Sequence, residues 1–410
     1  MKILHLCYSD LEGGAARAAY RLHQAQRSVG LNSHMLVINK CSDDPYVHTV
    51  SLRKKLRIKA AATVARRILK FQKTRNPIHH SLNLFPSGLP SIINELSPDI
   101  VNLHWVGNEM LSIGEIASLK QPIVWTLHDM WSFSGCEHYD DDLPSERYSA
   151  GYSHESRHTE HRGLDLDRWI FQLKKKAWFN KRFHIVAPSS WLAVCVQRST
   201  LFAEQSVKVI NNCIDHSVYR PLSRNLARQA LGLTQGKKYL LFGAMSSTSD
   251  PRKGYHLLVP ALQKLKELGG AENIELLIFG ASDGRVEQET GIITHYMGRL
   301  HDDISLCLLY NAVELFIAPS LQDNLPNTLV EALACGTPCV AFDIGGIPDL
   351  LSSPLLGQKC KSLDYQHLAQ SILSELKKSN ERDQIVHDSK EKRSQKVIAD
   401  SYKDLYVFLK

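Results

Sequence analysis

The sequence predicts an α/β protein built from two doubly wound parallel sheets, each covered by helices on both faces. Three observations carry that expectation. Short apolar runs bounded by Gly, Pro or Asp alternate with longer amphipathic stretches along most of the chain, the pattern of buried parallel strands joined by crossover helices. The runs fall into two sets separated by a break in the pattern. A chain of 410 residues with 43% hydrophobic and 22% charged side chains also supplies two buried cores of ~200 residues each.

The first set of strands is expected at 2–8 (KILHLCY), 34–38 (HMLVI), 99–103 (DIVNL), 122–127 (PIVWTL) and 184–187 (HIVA). The second is expected at 207–210 (VKVI), 238–243 (KYLLFG), 274–279 (IELLIF), 315–318 (LFIA) and 338–341 (PCVA). Helices are expected between them, including 14–29 and 255–268. Asn211-Asn212 and Arg220-Pro221 interrupt the pattern near 200–222, which places one domain at 1–200 and a second at 201–382. The segment 383–410 has helical spacing through Tyr402, Leu405, Tyr406 and Leu409 and is expected to pack back on the first domain. Residues 132–167 lack a regular period, and irregular stretches of that length are often functional.

The net charge of +7 is too small to imply a nucleic-acid partner. Nine cysteines form an odd set with no CxxC pair, and several lie inside apolar runs. Buried thiols in a reducing compartment explain this better than disulfides. The opening MKILHLCYSD is too short and polar for a secretory signal, and no stretch approaches the ~18–20 apolar residues that span a bilayer. A cytoplasmic location is expected. One segment stands apart: residues 52–75 hold ten Lys or Arg and no Asp or Glu, with Leu52, Leu56, Val64, Ile68 and Phe71 roughly on one helical face. It reads either as a solvated surface helix or as a peripheral contact with an anionic membrane on the inner face.

The chemistry is expected around 319–339, PSLQDNLPNTLVEALACGTPC. The strand 315–318 ends at Pro319, and a loop carries Asp323 and Asn324. Pro326 pre-sets a helix start, which Asn324 or Asn327 can cap, and the helix runs 327–335 to Gly336. Doubly wound sheets bind ligands outside the carboxyl ends of their strands, and a helix N-terminus there attracts phosphate. Glu331, about one turn inside the helix, can accept two hydrogen bonds from a ribose diol. Asp323 can do the same for sugar hydroxyls.

At this point the sequence resembles the family 4 retaining glycosyltransferases. Their signature is an acidic residue, seven others and then Glu, between a PS turn and an A-x-A-x-G-x-P-x-V stretch; here stand Asp323, Glu331, Ala332, Ala334, Gly336, Pro338 and Val340. Asp323 replaces the commoner Glu, a shorter reach that bears on sugar preference. The resemblance is clearest over 1–40, 98–130 and 184–350. It implies the GT-B architecture, two Rossmann-like domains facing across a cleft, with the donor mainly on the second and the acceptor on the first. It further implies that Asp323, with the backbone of Asn324 and Leu325, holds the donor sugar, while Glu331 holds the ribose. Relatives with a similar string often build capsule, O-antigen or exopolysaccharide. The implied partners are therefore a UDP- or GDP-sugar donor and a glycan or lipid-linked saccharide acceptor. The implied reaction is metal-independent, retains the anomeric configuration and uses no cofactor.

Other stretches are read in the same frame. Gly13-Gly14 opens a helix after the first strand and lets the backbone approach a phosphate closely; GxGxxG is absent, which disfavours a dinucleotide-dependent dehydrogenase. In 243–254, GAMSSTSDPRKG, Lys253 matches the family's basic residue before the second Gly. Ala244 stands where an Arg is common, and Arg252 is the residue that can substitute. Thr126, His128 and Asp129 match a T-x-H-D segment whose His reaches the donor sugar in the family. Gly280 and Tyr296-Met297-Gly298-Arg299 stand where the family places the base. The HESRH at 154–158 matches a zinc-protease pattern, but its polar neighbours give no apolar face for such a helix. A structural metal held by Cys136, His138, His154, His158 and His161 stays open. So do two other functions: an epimerase or phosphorylase of the same architecture, and a non-catalytic glycan- or nucleotide-binding subunit.

Overall fold

A computed structural model of the chain describes residues 1–140, 146–243, 250–300, 302–379 and 381–409. The chain divides into two compact units, Met1–Asn211 with Ile398–Lys410, and Asn212–Val397.

In chain order the first unit contains β1 (Lys2–Ser9), β2 (Asn32–Asn39), β3 (Val47–Thr49), β4 (Gln72–Lys73), β5 (Ile100–Leu103), β6 (Ile123–Thr126), β7 (Arg162–Gly163), β8 (His184–Ala187) and β9 (Ser206–Val209). Seven of these form one sheet in the order β3-β2-β1-β5-β6-β8-β9, parallel throughout. Its central strands are buried along their length, because helices cover both faces and neither side of the pleat meets water. The remaining pair, β4 and β7, is antiparallel and lies apart from the sheet.

One strand changes domain relative to expectation. The run at 207–210 was expected to open the second sheet, yet Ser206–Val209 pairs with β8, His184↔Ser206 through Ala187↔Val209. The helix Ser190–Arg198 returns the chain beside β8 as a crossover connection requires, so the run becomes the exposed edge of the first sheet. The first unit accordingly reaches Asn211.

The second unit contains β10 (Lys238–Gly243), β11 (Ile274–Phe279), β12 (Thr294–Tyr296), β13 (Leu315–Ala318), β14 (Cys339–Phe342) and β15 (Gly357–Cys360), in the order β12-β11-β10-β13-β14-β15. All pairings are parallel. Separate apolar cores fill the two faces, one around Tyr310, Phe316 and Leu329 and the other around Leu240, Leu262 and Ile372.

The C-terminal segment also departs from expectation. Instead of one packing unit at 383–410, there are two helices, Arg382–Arg393 and Gln395–Leu409, separated at Ser394, whose backbone is extended. The first buries Ile385 and Val386 in the second unit. The second buries Ile398, Ala399, Tyr402 and Tyr406, and from Ile398 onward it belongs to the first unit. The apolar spacing of each half selects its own partner.

The irregular stretch 132–167 is packed rather than loose: Phe133, Cys136, Tyr148 and Tyr152 are buried; residues 141–145 lie outside the described ones. The basic segment forms the helix Leu52–Leu69, capped by Ser51. Ile58, Ala62 and Ala65 face inward, Ile68 is half-buried against the core, and Leu52, Leu56, Val64 and Phe71 are exposed. Among the described residues no helix is long and apolar enough to cross a membrane.

Under the final helix lies a closed polar network. The Tyr406 hydroxyl accepts from Gln26 Nε2 and Asn102 Nδ2, both at 3.0 Å. Asn102 Oδ1 accepts from Thr126 Oγ1 at 3.0 Å, and the Tyr402 hydroxyl meets Thr126 Oγ1 at 2.9 Å. Buried polar groups are stable only when paired. Tyr406→Ala, which opens a cavity and unpairs two amides, is expected to lower unfolding stability by about 3–5 kcal/mol, read from urea unfolding of the first unit.

Candidate functional site

In the second sheet the strand order reverses between β10 and β13, and such a switch point opens a crevice beyond the carboxyl ends of both strands. The chain leaving β10 passes through 244–249, including Ala244, which lie outside the described residues. It then forms the turn Pro251–Lys253, capped by the Asp250 side chain, which accepts from the Arg252 N–H. The Arg252 guanidinium also binds Asp250, Nη2 to Oδ2 at 2.8 Å. Burial raises the Asp250 pKa, but the hydrogen bonds and charge of Arg252 outweigh it and hold the carboxyl below its ordinary range. Arg252 is thus turned onto its own cap.

Lys253 behaves differently. Gly254 follows it at φ 72°, and a Cβ there would lie 1.7 Å from the carbonyl oxygen of Pro319. Only Gly permits that approach and that φ. The Leu321 N–H donates to the Arg252 carbonyl at 2.7 Å. These contacts press the turn against the loop that leaves β13, and Lys253 Nζ donates to Asp323 Oδ2 at 2.7 Å. The two side chains remain 22% and 15% exposed, so the pair is shielded from water without being sealed from a ligand. The Asp323 carbonyl accepts from the Gly346 N–H at 3.1 Å, and a Cβ on Gly345 would sit 2.0 Å from that oxygen. The backbone of Asp323 is therefore clamped independently of its carboxylate.

The adjoining helix runs Asn327–Ala334 with Pro326 at its N-cap and no side-chain cap. The expected caps are not used: Asn327 is the first helical residue and its Oδ1 accepts from Asn212 Nδ2 at 3.1 Å, while Asn324 and Leu325 are buried in the loop. Glu331 is only 3% exposed, and Tyr310, which the sequence reading missed, donates its hydroxyl to Glu331 Oε2 at 2.9 Å. Burial and then the Glu331 charge push the Tyr310 pKa well above its ordinary value, so it stays a donor. Gly280 directly follows β11, and Tyr296, the last residue of β12, leads into Met297–Arg299.

In the first unit the chain leaves β1 through Gly13, at φ 103°, the left-handed side that favours glycine. Gly14 then starts the helix Gly14–Ser28, which no side chain caps. Tyr8, Glu12, Gly13, Gly14 and Trp105 line a pocket with about 600 Å³ of open space. Asp10 braces this loop by accepting from the Cys41 and Ser42 N–H groups at 2.8 and 2.9 Å.

His128 follows β6 and ends a buried chain of imidazoles. His5 Nε2 faces Gln26 Oε1 at 2.9 Å, His5 Nδ1 faces His104 Nε2 at 2.9 Å, and His104 Nδ1 faces His128 Nε2 at 3.0 Å. Gln26 gives its Nε2 to Tyr406, so its Oε1 must accept from His5 Nε2–H. Each neutral ring has one proton, so the direction propagates: His104 donates to His5, and His128 donates to His104. His128 thereby keeps Nδ1 as its acceptor face. Burial lowers His5 to about 3 and His128 to about 4, which keeps these rings neutral near pH 7. Asp129 binds His138, Oδ2 to Nδ1 at 2.6 Å. Burial raises its pKa, but His138 outweighs burial and lowers it. His5 interrupts an apolar strand and His104 directly follows one, and that placement was the one available signal that they act as a buried network.

The HESRH stretch forms turns rather than a helix, so its two histidines do not share a helical face. His138 is engaged by Asp129 and Ser81, and His161 meets Thr74; the loop histidines do not gather around Cys136.

Comparison with known proteins follows the same division. A model described as Glycosyltransferase Family 4 matches residues 12–218, and one described as Glycosyl transferases group 1 matches 236–378. The D-inositol 3-phosphate glycosyltransferase of Mycobacterium tuberculosis (strain ATCC 25618 / H37Rv) is 28% identical over 181 residues, covering 39% of this chain and 35% of that relative. The match thus spans about a third of the relative's length. Among solved structures, sucrose-phosphate synthase from Thermosynechococcus elongatus has a TM-score of 0.68 at 16% identity, over 100% of this chain and 99% of that one. Anabaena HepE in complex with UDP and glucose has a TM-score of 0.67 at 17% identity, over 99% of both chains. At such identities the likeness establishes the fold alone.

The buried imidazoles give a signed pH dependence. His5, His79 and His128 are lowered by burial from 6.5 to about 3, 4 and 4. Between pH 6.5 and about 4 the unfolded chain binds protons that the folded chain refuses, so unfolding stability is expected to fall as pH drops through that window. Urea unfolding as a function of pH checks this, and His128→Gln should show a shallower fall.

Proposed function

The chain belongs to glycosyltransferase family 4 and has its GT-B fold, and on that premise we propose that it transfers a sugar from a UDP- or GDP-sugar to a glycan or lipid-linked saccharide, with retention of configuration. The observation that carries this reading is the Lys253–Asp323 pair at the switch point of the second sheet. It sets a cation for a diphosphate beside a carboxylate for sugar hydroxyls. The transfer proceeds on one face of the donor: the acceptor oxygen bonds to the anomeric carbon as the phosphate oxygen leaves, and that oxygen takes the acceptor proton. The products are a glycoside and a nucleoside diphosphate. No enzyme carboxylate forms a covalent bond, and no metal or cofactor is needed; the protein positions the reactants and stabilises charge.

The family resemblance assigns the roles in this reading. Lys253 offsets charge on the departing diphosphate, and Arg252 contributes less because Asp250 holds it. Asp323 and the backbone of Asn324 and Leu325 hold the sugar. Glu331, which accepts from the Tyr310 hydroxyl, binds the ribose. The Gly13–Gly14 loop serves the diphosphate, and neutral His128 accepts from a sugar hydroxyl at Nδ1. The outward face of the helix Leu52–Leu69, with Leu52 71% and Leu56 58% exposed among basic residues, supports a peripheral membrane position near lipid-linked acceptors. A place in cell-surface polysaccharide assembly, on the cytoplasmic side, fits that acceptor class.

Calorimetry with a panel of nucleotide sugars is the direct test. Selective binding to the wild type that is lost in Glu331→Ala supports the donor site; a folded wild type that binds none, with or without acceptor, overturns it. With the donor known, Lys253→Ala is expected to lower turnover by about 10²–10³, and an unchanged rate contradicts its role. Flotation with anionic liposomes is expected for the wild type and weakened by Leu52→Asp with Leu56→Asp.

A further inference from the structure

We propose that His80, Cys136 and Asp167 form a zinc site in the first unit, separate from the transfer chemistry, which ties together three stretches of otherwise irregular chain. Their ligand atoms lie within 4.8 Å of one another, and all three side chains are buried or nearly so. An imidazole nitrogen, a thiolate sulfur and a carboxylate oxygen are each donors that zinc takes.

The surroundings are arranged as metal sites arrange them. His80 Nδ1 faces the Ile78 carbonyl at 2.6 Å, and a carbonyl can only accept, so Nδ1 carries the proton and Nε2 the lone pair. A ligating His commonly donates its other N–H to a backbone carbonyl in this way. His80 Nε2 points toward Asp167 Oδ1, 3.9 Å away. The other Asp167 oxygen, Oδ2, is fixed by Gln72 Nε2 at 2.7 Å. Cys136 Sγ lies 2.6 Å from Asp167 Oδ1, and its backbone N–H adds a 3.3 Å contact to the same oxygen. Zinc would displace the thiol proton to solvent and take the place of that S–H···O contact.

A fourth oxygen stands nearby. Glu137 is buried, Tyr152 donates to its Oε1, and its Oε2 has no hydrogen-bond partner among the described residues.

The scaffold is rigid where the site needs it. Buried Lys174 donates to the carbonyls of Trp131, Ser134 and Gly135, fixing the turn that presents Cys136. A Cβ on Gly135 would lie 2.6 Å from both the Asp167 carbonyl and Glu137 Oε2. Two residues on, His138 grips Asp129 beside His128, so the metal would also steady that end of β6. None of this depends on which sugar is transferred.

The test uses the full chain, purified without chelators. Elemental analysis is expected to find zinc stoichiometric with protein, and Cys136→Ser and His80→Gln should each retain at least about tenfold less, the scale at which even supporting residues of a metal site act. His154→Ala with His158→Ala, in the exposed HESRH turns, should retain it fully. Protein stripped by a chelator and loaded with cobalt(II) chloride should show a thiolate-to-cobalt charge-transfer band. His80→Gln keeps every thiol, so loss of that band in His80→Gln decides the matter even if Cys136→Ser fails to fold. Zinc absent from the wild type together with no cobalt band overturns the proposal, as does zinc that survives in both ligand variants or leaves with the HESRH histidines.

Discussion

The Pro319 carbonyl approaches the backbone of residue 254 so closely that a side chain there would begin 1.7 Å from it, and the site of the second sheet depends on that approach. Because Gly254 carries no Cβ and adopts a left-handed φ, the turn ending in Lys253 can lie on the loop ending in Asp323. The ammonium and carboxylate then meet at 2.7 Å beyond the ends of two adjacent parallel strands. A parallel sheet covered on both faces has no free surface of its own, so chemistry is confined to the strand ends. The glycine decides which two loop residues are brought together there.

The first unit solves a different problem. Its central strands carry polar side chains, His5, Asn102 and Thr126, into a region that would otherwise be apolar. Each is satisfied by the others, by Gln26 and by the two tyrosines of the final helix. The docking of that helix therefore does more than bury area. It supplies the hydroxyl that orients Gln26, and Gln26 orients three imidazoles in series up to His128. In a region of low dielectric such a network is worth keeping only when complete, which couples the C-terminus of the chain to the protonation pattern at the end of β6.

Hydrophobic residues facing outward are common and individually uninformative. Those on the helix Leu52–Leu69 differ because an opposite face, Ile58, Ala62 and Ala65, already anchors the helix. Leu52, Leu56 and Val64 are therefore left outside the core and sit among basic side chains with no acid between them. The irregular segment that follows β6 shows the converse. It has little regular hydrogen bonding, yet it is held by buried polar groups, with Lys174 donating to three carbonyls and Arg147 on Asp165 at 2.8 Å.

The sequence by itself determined the fold class, the strands that are apolar on both faces, the motif holding Asp323 and Glu331, and the family. The fold class and the strands rest on local periodicity, which a chain displays before it folds, and the family rests on the resemblance carried by that motif. It did not reveal the edge strands β3, β12 and β15 or the two-residue pair β4 and β7, because strands of two to four residues carry too little apolar pattern. It misassigned β9, since a run of the right composition does not state which sheet it will join. Tertiary structure alone decided that Arg252 folds onto Asp250 while Lys253 reaches Asp323, that Tyr310 occupies one oxygen of Glu331, and that His5 and His104 stand behind His128. It also decided that Cys136 keeps company with His80 and Asp167 rather than with the histidines of its own loop. Apart from Arg252 and Asp250, which are two positions apart, these pairings join residues tens of positions apart, and their partners are chosen by packing and backbone approach, for which a linear sequence has no short-range signal.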